Sequence, residues 1–542
     1  MSDTRVYDNA VSDAQERVVL FSKKRIHRIV DVNQGNYSSN QIQFNLPELS
    51  TESALLSLAE SSVSIPYMID VTLPQGSSFT ANHAWQYLVG LKGADFCVIS
   101  GVQVSVSDVP VLNINEDTQN SLFWKAISQS TQDDLANFAD SMCYAPDNGA
   151  SATYIDGYGE SNGKIVTEAF ANQVNYSADE TNYGLLQRVK KSGFRPSSSA
   201  VSVFTDEAKT ASKRRRFVER VDAQTIRYHM LLNIPMKYLA YDLFDKMPLV
   251  KGMYLKMNLN VHTAKSTIAL KVTGLNEDGN NIAVVSAPRY TTCPYMLTDS
   301  RVNIGAAGVM TINSYLVKNN KFGMSGCEFN AVLYTALPQV ESNYLDTVPQ
   351  KVIDYTTQTT TVLPRVTPNS AFQHMVHNGI SKVRYLLIQP QISGSCNGSV
   401  VGDLTGTANG KFCPNAFCLS SAPSTCVREV SIQDLQVKIG SQYLYDVPLT
   451  YTYDLFMAEI RSAGIPIDEH SFSGLLSESA WQSNPWIFID LSRKSSLVDD
   501  EAVKSVHVSG RNLSCVTCDY TFTLFANQQI TLSTATGRIV IQ

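Results

Sequence analysis

Charge is scarce in this chain. Asp, Glu, Lys and Arg make up 17% of its 542 residues, against about a quarter in an ordinary soluble domain. With a net charge of −6, it has no general electrostatic affinity for nucleic acid. Long apolar runs are also missing. Nothing approaches the ~18 consecutive apolar residues of a membrane-crossing helix. The first 17 residues are polar and acidic with no apolar core, which argues against a secretory signal. A cytosolic or nuclear history is therefore expected, with the ten cysteines mostly reduced.

Catalytic signatures are absent as well. There is no phosphate-cradling glycine loop and no dinucleotide fingerprint. Cys515-x-x-Cys518 runs into an alternating strand, Asp519 to Phe525, where residues three apart point to opposite faces and do not converge on a metal. Cys413 and Cys418 could offer a second pair, at a looser spacing. His374 and His377 lack the glutamate and the helical spacing of a zinc protease. They are expected to be structural. No catalytic, cofactor-binding or metal residue is nominated. The basic run Lys213-Arg214-Arg215-Arg216, diluted by Asp206, Glu207 and Glu219, reads as a solvated loop, with a nuclear-import address or a nucleic-acid patch as the other readings.

What is present is a long-range echo. Gln103-Val104-Ser105-Val106, then Asp108-Val109-Pro110-Val111, then Leu122, Phe123, Ala126 and Ile127 form one block. Gln436-Val437-Lys438-Ile439, then Asp446-Val447-Pro448-Leu449, then Leu455, Phe456, Glu459 and Ile460 form another, with five residues of slack before the second Asp-Val-Pro. Each reads as strand, turn and amphipathic helix. Flanking strands agree in order: Val63 to Pro74 with Ser381 to Pro390, Tyr228 to Ile234 with Trp486 to Leu491, and Met253 to Val261 with Tyr520 to Leu532. A duplicated β-rich unit follows. Helices are expected only near Thr118 to Met142, Tyr238 to Asp245 and Thr450 to Arg461. Short strands, turn signals and rare helices predict β-sandwiches.

The expected organisation is a flexible N-terminal arm over 1–38 and a first unit over 39–294 with an insertion at about 144–222. A linker over 295–325 leads to a second unit over 326–542, with a loop at about 393–425. The arm turns basic at Lys23, Lys24, Arg25 and Arg28.

In these ordered segments the chain resembles the double jelly-roll major capsid proteins of Polinton-like viruses and virophages. The resemblance rests on Gly35 to Ile42, Ser128 to Asp134, Phe244 to Gly252, Val427 to Val437, Phe488 to Arg493 and the tail Thr531 to Ile541. It covers most of residues 35–542 and is least marked at 144–222. It implies an all-β fold of two tandem eight-stranded antiparallel jelly rolls. It further implies a non-enzymatic viral structural protein whose pseudo-hexagonal homotrimers tile an icosahedral capsid. Implied partners are further copies of the chain, penton proteins and minor or cement proteins. The basic arm would reach genome, inner membrane or a neighbouring subunit. The implied place is the virion, assembled in host cytoplasm or nucleus. Two other readings stand beside it: a trimeric spike or receptor-binding β-protein, and a two-domain β-sandwich carbohydrate-active enzyme. Against the enzyme, tryptophan is confined to Trp85, Trp124, Trp481 and Trp486, few for an aromatic-lined groove.

Overall fold

The computed structural model describes residues 20–37, 40–73, 75, 89–91, 95–115, 118–129, 216–263, 265–275, 281–286, 295–297, 308–316, 322–392, 432–465, 478, 481, 486–492, 502–513 and 517–540. Its strands are β1 (Phe21–Val30), β2 (Gln41–Leu46), β3 (Leu55–Thr72), β4 (Val89–Leu91), β5 (Ile99–Val106), β6 (Val109–Ile114), β7 (Arg216–Arg220) and β8 (Thr225–Pro235). There follow β9 (Leu255–Val261), β10 (Lys265–Leu275), β11 (Asn281–Ser286), β12 (Tyr295–Leu297), β13 (Gly308–Leu316) and β14 (Glu328–Ala336). The remainder are β15 (Gln350–Val366), β16 (Ala371–Ile380), β17 (Val383–Ile392), β18 (Ile432–Ile439), β19 (Gln442–Tyr443), β20 (Ile487–Asp490), β21 (Lys504–Asn512), β22 (Cys518–Ser533) and β23 (Ile539–Val540). The longer helices are α1 (Thr118–Gln129), α2 (Pro338–Thr347) and α3 (Tyr453–Ser462).

The second unit has the simpler topology. Numbering its strands β15 to β22 as first to eighth, one sheet runs β15-β22-β17-β20, which is first-eighth-third-sixth. The facing sheet runs β16-β21-β18-β19, which is second-seventh-fourth-fifth. Two four-stranded antiparallel sheets wound in that order make a jelly roll. The first unit repeats it. With β1, β2, β3, β5, β6, β8, β9 and β14 as its eight strands, its sheets contain β1-β14-β3-β8 and β2-β9-β5-β6. Every pairing is antiparallel.

Period-two patterning builds both cores. On β3, Val63, Ile65, Tyr67, Ile69 and Val71 are fully buried, and on β9 Leu255, Met257 and Leu259 are. Alternate residues face out, as the pleat requires. Phe44 of β2 and Phe329 of β14 meet across the first sandwich with ring centroids 6.1 Å apart.

The topology corrects three sequence expectations. Residues 21–30 are not a free arm but the first strand, paired along its length with β14. The basic residues concealed it: β1 is an edge strand with only Ile29 buried, and lysines are common guards of such edges. The segment 328–336, expected to open the second unit, closes the first as its eighth strand. Within 295–325, expected as linker, β12 pairs with β4 and β13 pairs with β3. The crossover between rolls is made instead by α2, whose Pro338 stands at its first turn, a favoured place for proline. Residues 130–215 and 393–431, covering most of both expected loops, lie outside the described residues.

The echo has a topological basis with one exception. Its strands and helices fall on equivalent elements: β3 with β17, β5 with β18, α1 with α3, β8 with β20. The last pair does not, because Met253 to Val261 contains a seventh strand and Tyr520 to Leu532 an eighth. The two Asp-Val-Pro runs also differ. Ser107 and Asp108, with φ of 49° and 67°, form the two-residue turn between β5 and β6, the mirror-image type that suits a hairpin. The second hairpin instead turns at Gly440 (φ 58°). Asp446 to Pro448 bulge out of the fifth strand, between Leu444, whose N–H donates to Val437, and Leu449, bridged to Leu435. The slack therefore reflects two runs at different places, one in the hairpin turn and one five residues further along.

Candidate assembly surfaces

The two rolls are joined by an apolar and hydrogen-bonded seam. On α1, Leu122, Phe123, Trp124 and Ala126 are buried. Trp124 reaches over to the second roll, stacking on Phe488 of β20 with centroids 4.8 Å apart and planes 17° apart. Its indole also contacts Trp486 at 5.8 Å and Phe456 of α3 at 6.4 Å. Lys125 beside it is held by the first roll, donating to the Lys237 carbonyl at 3.0 Å and to Asp245 at 2.5 Å. Burial pushes its pKa down while the Asp245 carboxylate opposes the shift.

Polar contacts continue the seam along β15. Asp242 accepts from the Thr356 N–H at 2.7 Å and from its hydroxyl at 3.1 Å, and Lys246 donates to the Asp354 carbonyl at 2.8 Å. The Tyr355 hydroxyl donates to the Val111 carbonyl of β6 at 2.5 Å, and burial pushes its pKa up to about 12. Tyr241 packs on Phe525 of β22 at 5.3 Å. At the base, Lys251 pairs with Glu341 of α2, and the Lys251 N–H donates to the Thr534 carbonyl. Consequently the sheet β15-β22-β17-β20 is buried on both faces: Gln389 is 2% exposed and Thr523 fully buried on the side opposite Leu386 and Phe522.

The corresponding sheet of the first roll has a different outer face. Ser64, Asn233 and Asn330 are only half-buried there and bond to one another, Asn330 to Ser64 at 2.8 Å and Ser64 to Asn233 at 3.2 Å. Asp70 accepts from Arg227 at 2.8 and 2.9 Å and from the Tyr315 hydroxyl at 2.8 Å. At the edge of this sheet, Lys24 pairs with Glu60 and Arg25 with Glu52. Lys23 and Arg28 are exposed and form no ion pair among the described residues. Exposed apolar side chains gather on and beside β1: Leu20, Ile26, Val30 and Val32. The strand is anchored at its end by Tyr37, whose hydroxyl donates to Asp31 at 3.2 Å and accepts from the Cys327 N–H at 2.9 Å. Burial raises the Asp31 carboxyl above its ordinary range.

The chain is a double jelly roll. It shares this fold with a chain of the Sputnik virophage structure determined by cryo-electron microscopy, at a TM-score of 0.52 and 13% identity, covering 97% of this chain and 90% of that one. It also matches the mavirus major capsid protein (TM-score 0.48, 11% identity, 97% and 91% covered). A further match is the Faustovirus major capsid protein (TM-score 0.43, 9% identity, 95% and 91% covered). No family model and no curated protein matches the sequence.

Of the chemical-looking residues, Cys518, His374 and His377 are among those described. Cys518 is buried on β22, while Cys413, Cys418 and Cys515 lie outside the described residues. His374 stacks on Phe522 at 4.9 Å and hydrogen-bonds Thr361 at 3.1 Å, and His377 accepts from the Gly379 N–H at 3.0 Å. No three His, Cys, Asp or Glu side chains converge among the described residues. Of the basic run 213–216, only Arg216, the first residue of β7, is among the described residues.

Proposed function

We propose that the chain is the major capsid protein of a virus akin to the virophages and Polinton-like viruses, a structural protein rather than an enzyme. The observation that carries this reading is the exact repetition of strand order: first-eighth-third-sixth over second-seventh-fourth-fifth, twice in tandem. Two rolls fixed side by side make a protomer with two nearly equivalent flanks. Three such protomers close into a homotrimer of six rolls with a pseudo-hexagonal outline, since head-to-tail contacts form a ring when their rotation closes. Such trimers tile an icosahedral shell around a genome, in the virion, after assembly in host cytoplasm or nucleus.

Low charge and a surface of hydrogen-bonding side chains suit broad lateral contacts, which hold by accumulated area. Penton and minor capsid proteins complete the shell. With Lys24 and Arg25 already paired, Lys23 and Arg28 are the β1 cations left to meet a neighbouring subunit, genome or membrane. Electron microscopy of the purified protein and of cells producing it tests the reading. Six-sided trimers and closed shells are expected. Dispersed monomers or elongated rods overturn it.

A further inference from the structure

The internal repeat allows the seam inside the chain to be transposed onto the contact between chains. Inside the chain, the first roll offers α1, residues 241–246 and the fifth strand β6. The second roll receives them on its first strand β15 and on the outer face of the sheet that β15 borders. If the same relation runs on from the second roll to the next copy, the offering elements are α3 and the segment that runs from β19 through the bulge to Leu449. The receiving elements are β1 and the outer face marked by Ser64, Asn233 and Asn330.

Each half of that contact carries exposed apolar side chains in the isolated chain. On the offering side, Tyr443 of β19 is 64% exposed and Val447 of the bulge is 67% exposed. Tyr443 and the bulge around Val447 lie on the segment whose first-roll counterpart gives the Val111 carbonyl to Tyr355. On the receiving side, Ile26 of β1 is 62% exposed. Among the described residues β1 is an edge strand, bonded to β14 along one side, and an exposed apolar edge is a ready template for association. Charges are complementary: exposed Arg28 lies on the same side of β1 as Ile26, and exposed Asp446, which forms no ion pair among the described residues, lies in the bulge. Met457 of α3 aligns with Trp124 in the echo and is only half-buried, whereas Trp124 is fully covered by the second roll.

We infer that β1 of one copy, around Ile26, is the docking strand for the Tyr443–Val447 bulge of a second copy, so that the second roll of each chain seats on the first roll of the next. This rests on the self-assembling reading above. It adds a chemical difference between the two seams. The internal seam is centred on stacked aromatic rings. The external one joins a small apolar patch to a polar, hydrogen-bonded sheet face. A protomer then folds and stays soluble before it associates.

The test uses the full chain. Native mass spectrometry and sedimentation first establish whether the unmodified protein forms trimers; a persistent monomer overturns the capsid reading itself, and this inference with it. Given trimers, Val447→Arg and Ile26→Asp are each expected to raise the trimer dissociation constant at least about tenfold, equivalent to roughly 1.4 kcal/mol. Their thermal unfolding as monomers is expected to be unchanged, both positions being exposed. An equimolar mixture of Ile26→Cys and Val447→Cys chains is expected, on oxidation, to give a covalent pair that neither variant gives alone. Trimers that survive both substitutions and give no mixed cross-link overturn the assignment of this surface while leaving the capsid reading standing.

Discussion

The indole of Trp124 lies flat on the ring of Phe488, 4.8 Å between centroids, and this stack ties the helix after the fifth strand of one roll to the sixth strand of the other. Trp124 is fully buried, with Trp486 and Phe456 closing the pocket around it. Trp124→Ala removes the largest side chain of the seam and leaves a cavity that two rigid rolls cannot fill by collapse. The expected cost is about 3–5 kcal/mol. Because the lost contacts lie between rolls, denaturant unfolding is expected to split from one transition into two. A single transition with an unchanged midpoint would show that the rolls are coupled elsewhere.

Much of this seam was written in the sequence but not legible as a seam. Leu122, Phe123, Ala126 and Ile127 at helical spacing identify α1, and the strands around it alternate clearly. Period-two alternation reports that a strand has a buried face; it does not report which sheet the strand joins. That is why Glu328–Ala336, an ordinary alternating strand, was read as the start of the second roll. Its partners β1 and β3 lie about 270 to 310 residues earlier. β15 carries no such alternation: Thr-rich and buried from two sides at its centre, it shows little contrast between faces. The exposed patch at Ile26 and Val447 has no sequence signal at all, since it exists only where the fold leaves apolar residues unpartnered.

The hydroxyl of Tyr355 supplies a separable part of the inter-roll contact. It donates to the Val111 carbonyl and contacts Gln528 Oε1 at 2.8 Å. Tyr355→Phe keeps the ring and takes that single donor away from the Val111 carbonyl. A loss of about 1–2 kcal/mol is expected, read as a lowered thermal midpoint with an unchanged denaturant slope. If the midpoint does not move, water replaces the hydroxyl and the seam is wetter than its geometry indicates.

Two glycines separate steric from conformational cost. Gly537 has φ of 62°, and a Cβ there would lie 2.5 Å from Met253 Cα and 2.7 Å from its backbone nitrogen. Gly323 has φ of 72° with nothing within 4 Å. Gly323→Ala is expected to cost only the left-handed penalty of about 1–2 kcal/mol. Gly537→Ala adds a backbone collision between the C-terminal turn and the first roll, so its expected loss is clearly the larger of the two. The comparison is made by chemical denaturation of both variants under one condition. Equal losses would mean that the turn at Gly537 moves aside freely.

His262, which follows β9, gives the first roll a pH-dependent term. Its carbonyl accepts from the Tyr67 hydroxyl at 2.8 Å, its ring Nε2 is buried without a hydrogen-bond partner, and burial pushes the imidazole down to about 4. The folded state therefore holds a neutral ring while the unfolded chain, near pKa 6.5, takes up a proton first. Between pH 6.5 and about 4 the unfolded state binds more protons, so stability falls as pH falls through that window and is unaffected by this group above it. The expected loss is roughly 1–3 kcal/mol by pH 4. His262→Gln removes the titration. Its thermal midpoint is expected to decline less steeply than that of the unmodified protein between pH 6.5 and 4, the two curves converging toward the acid end. Parallel curves across the window would place the acid sensitivity in other groups.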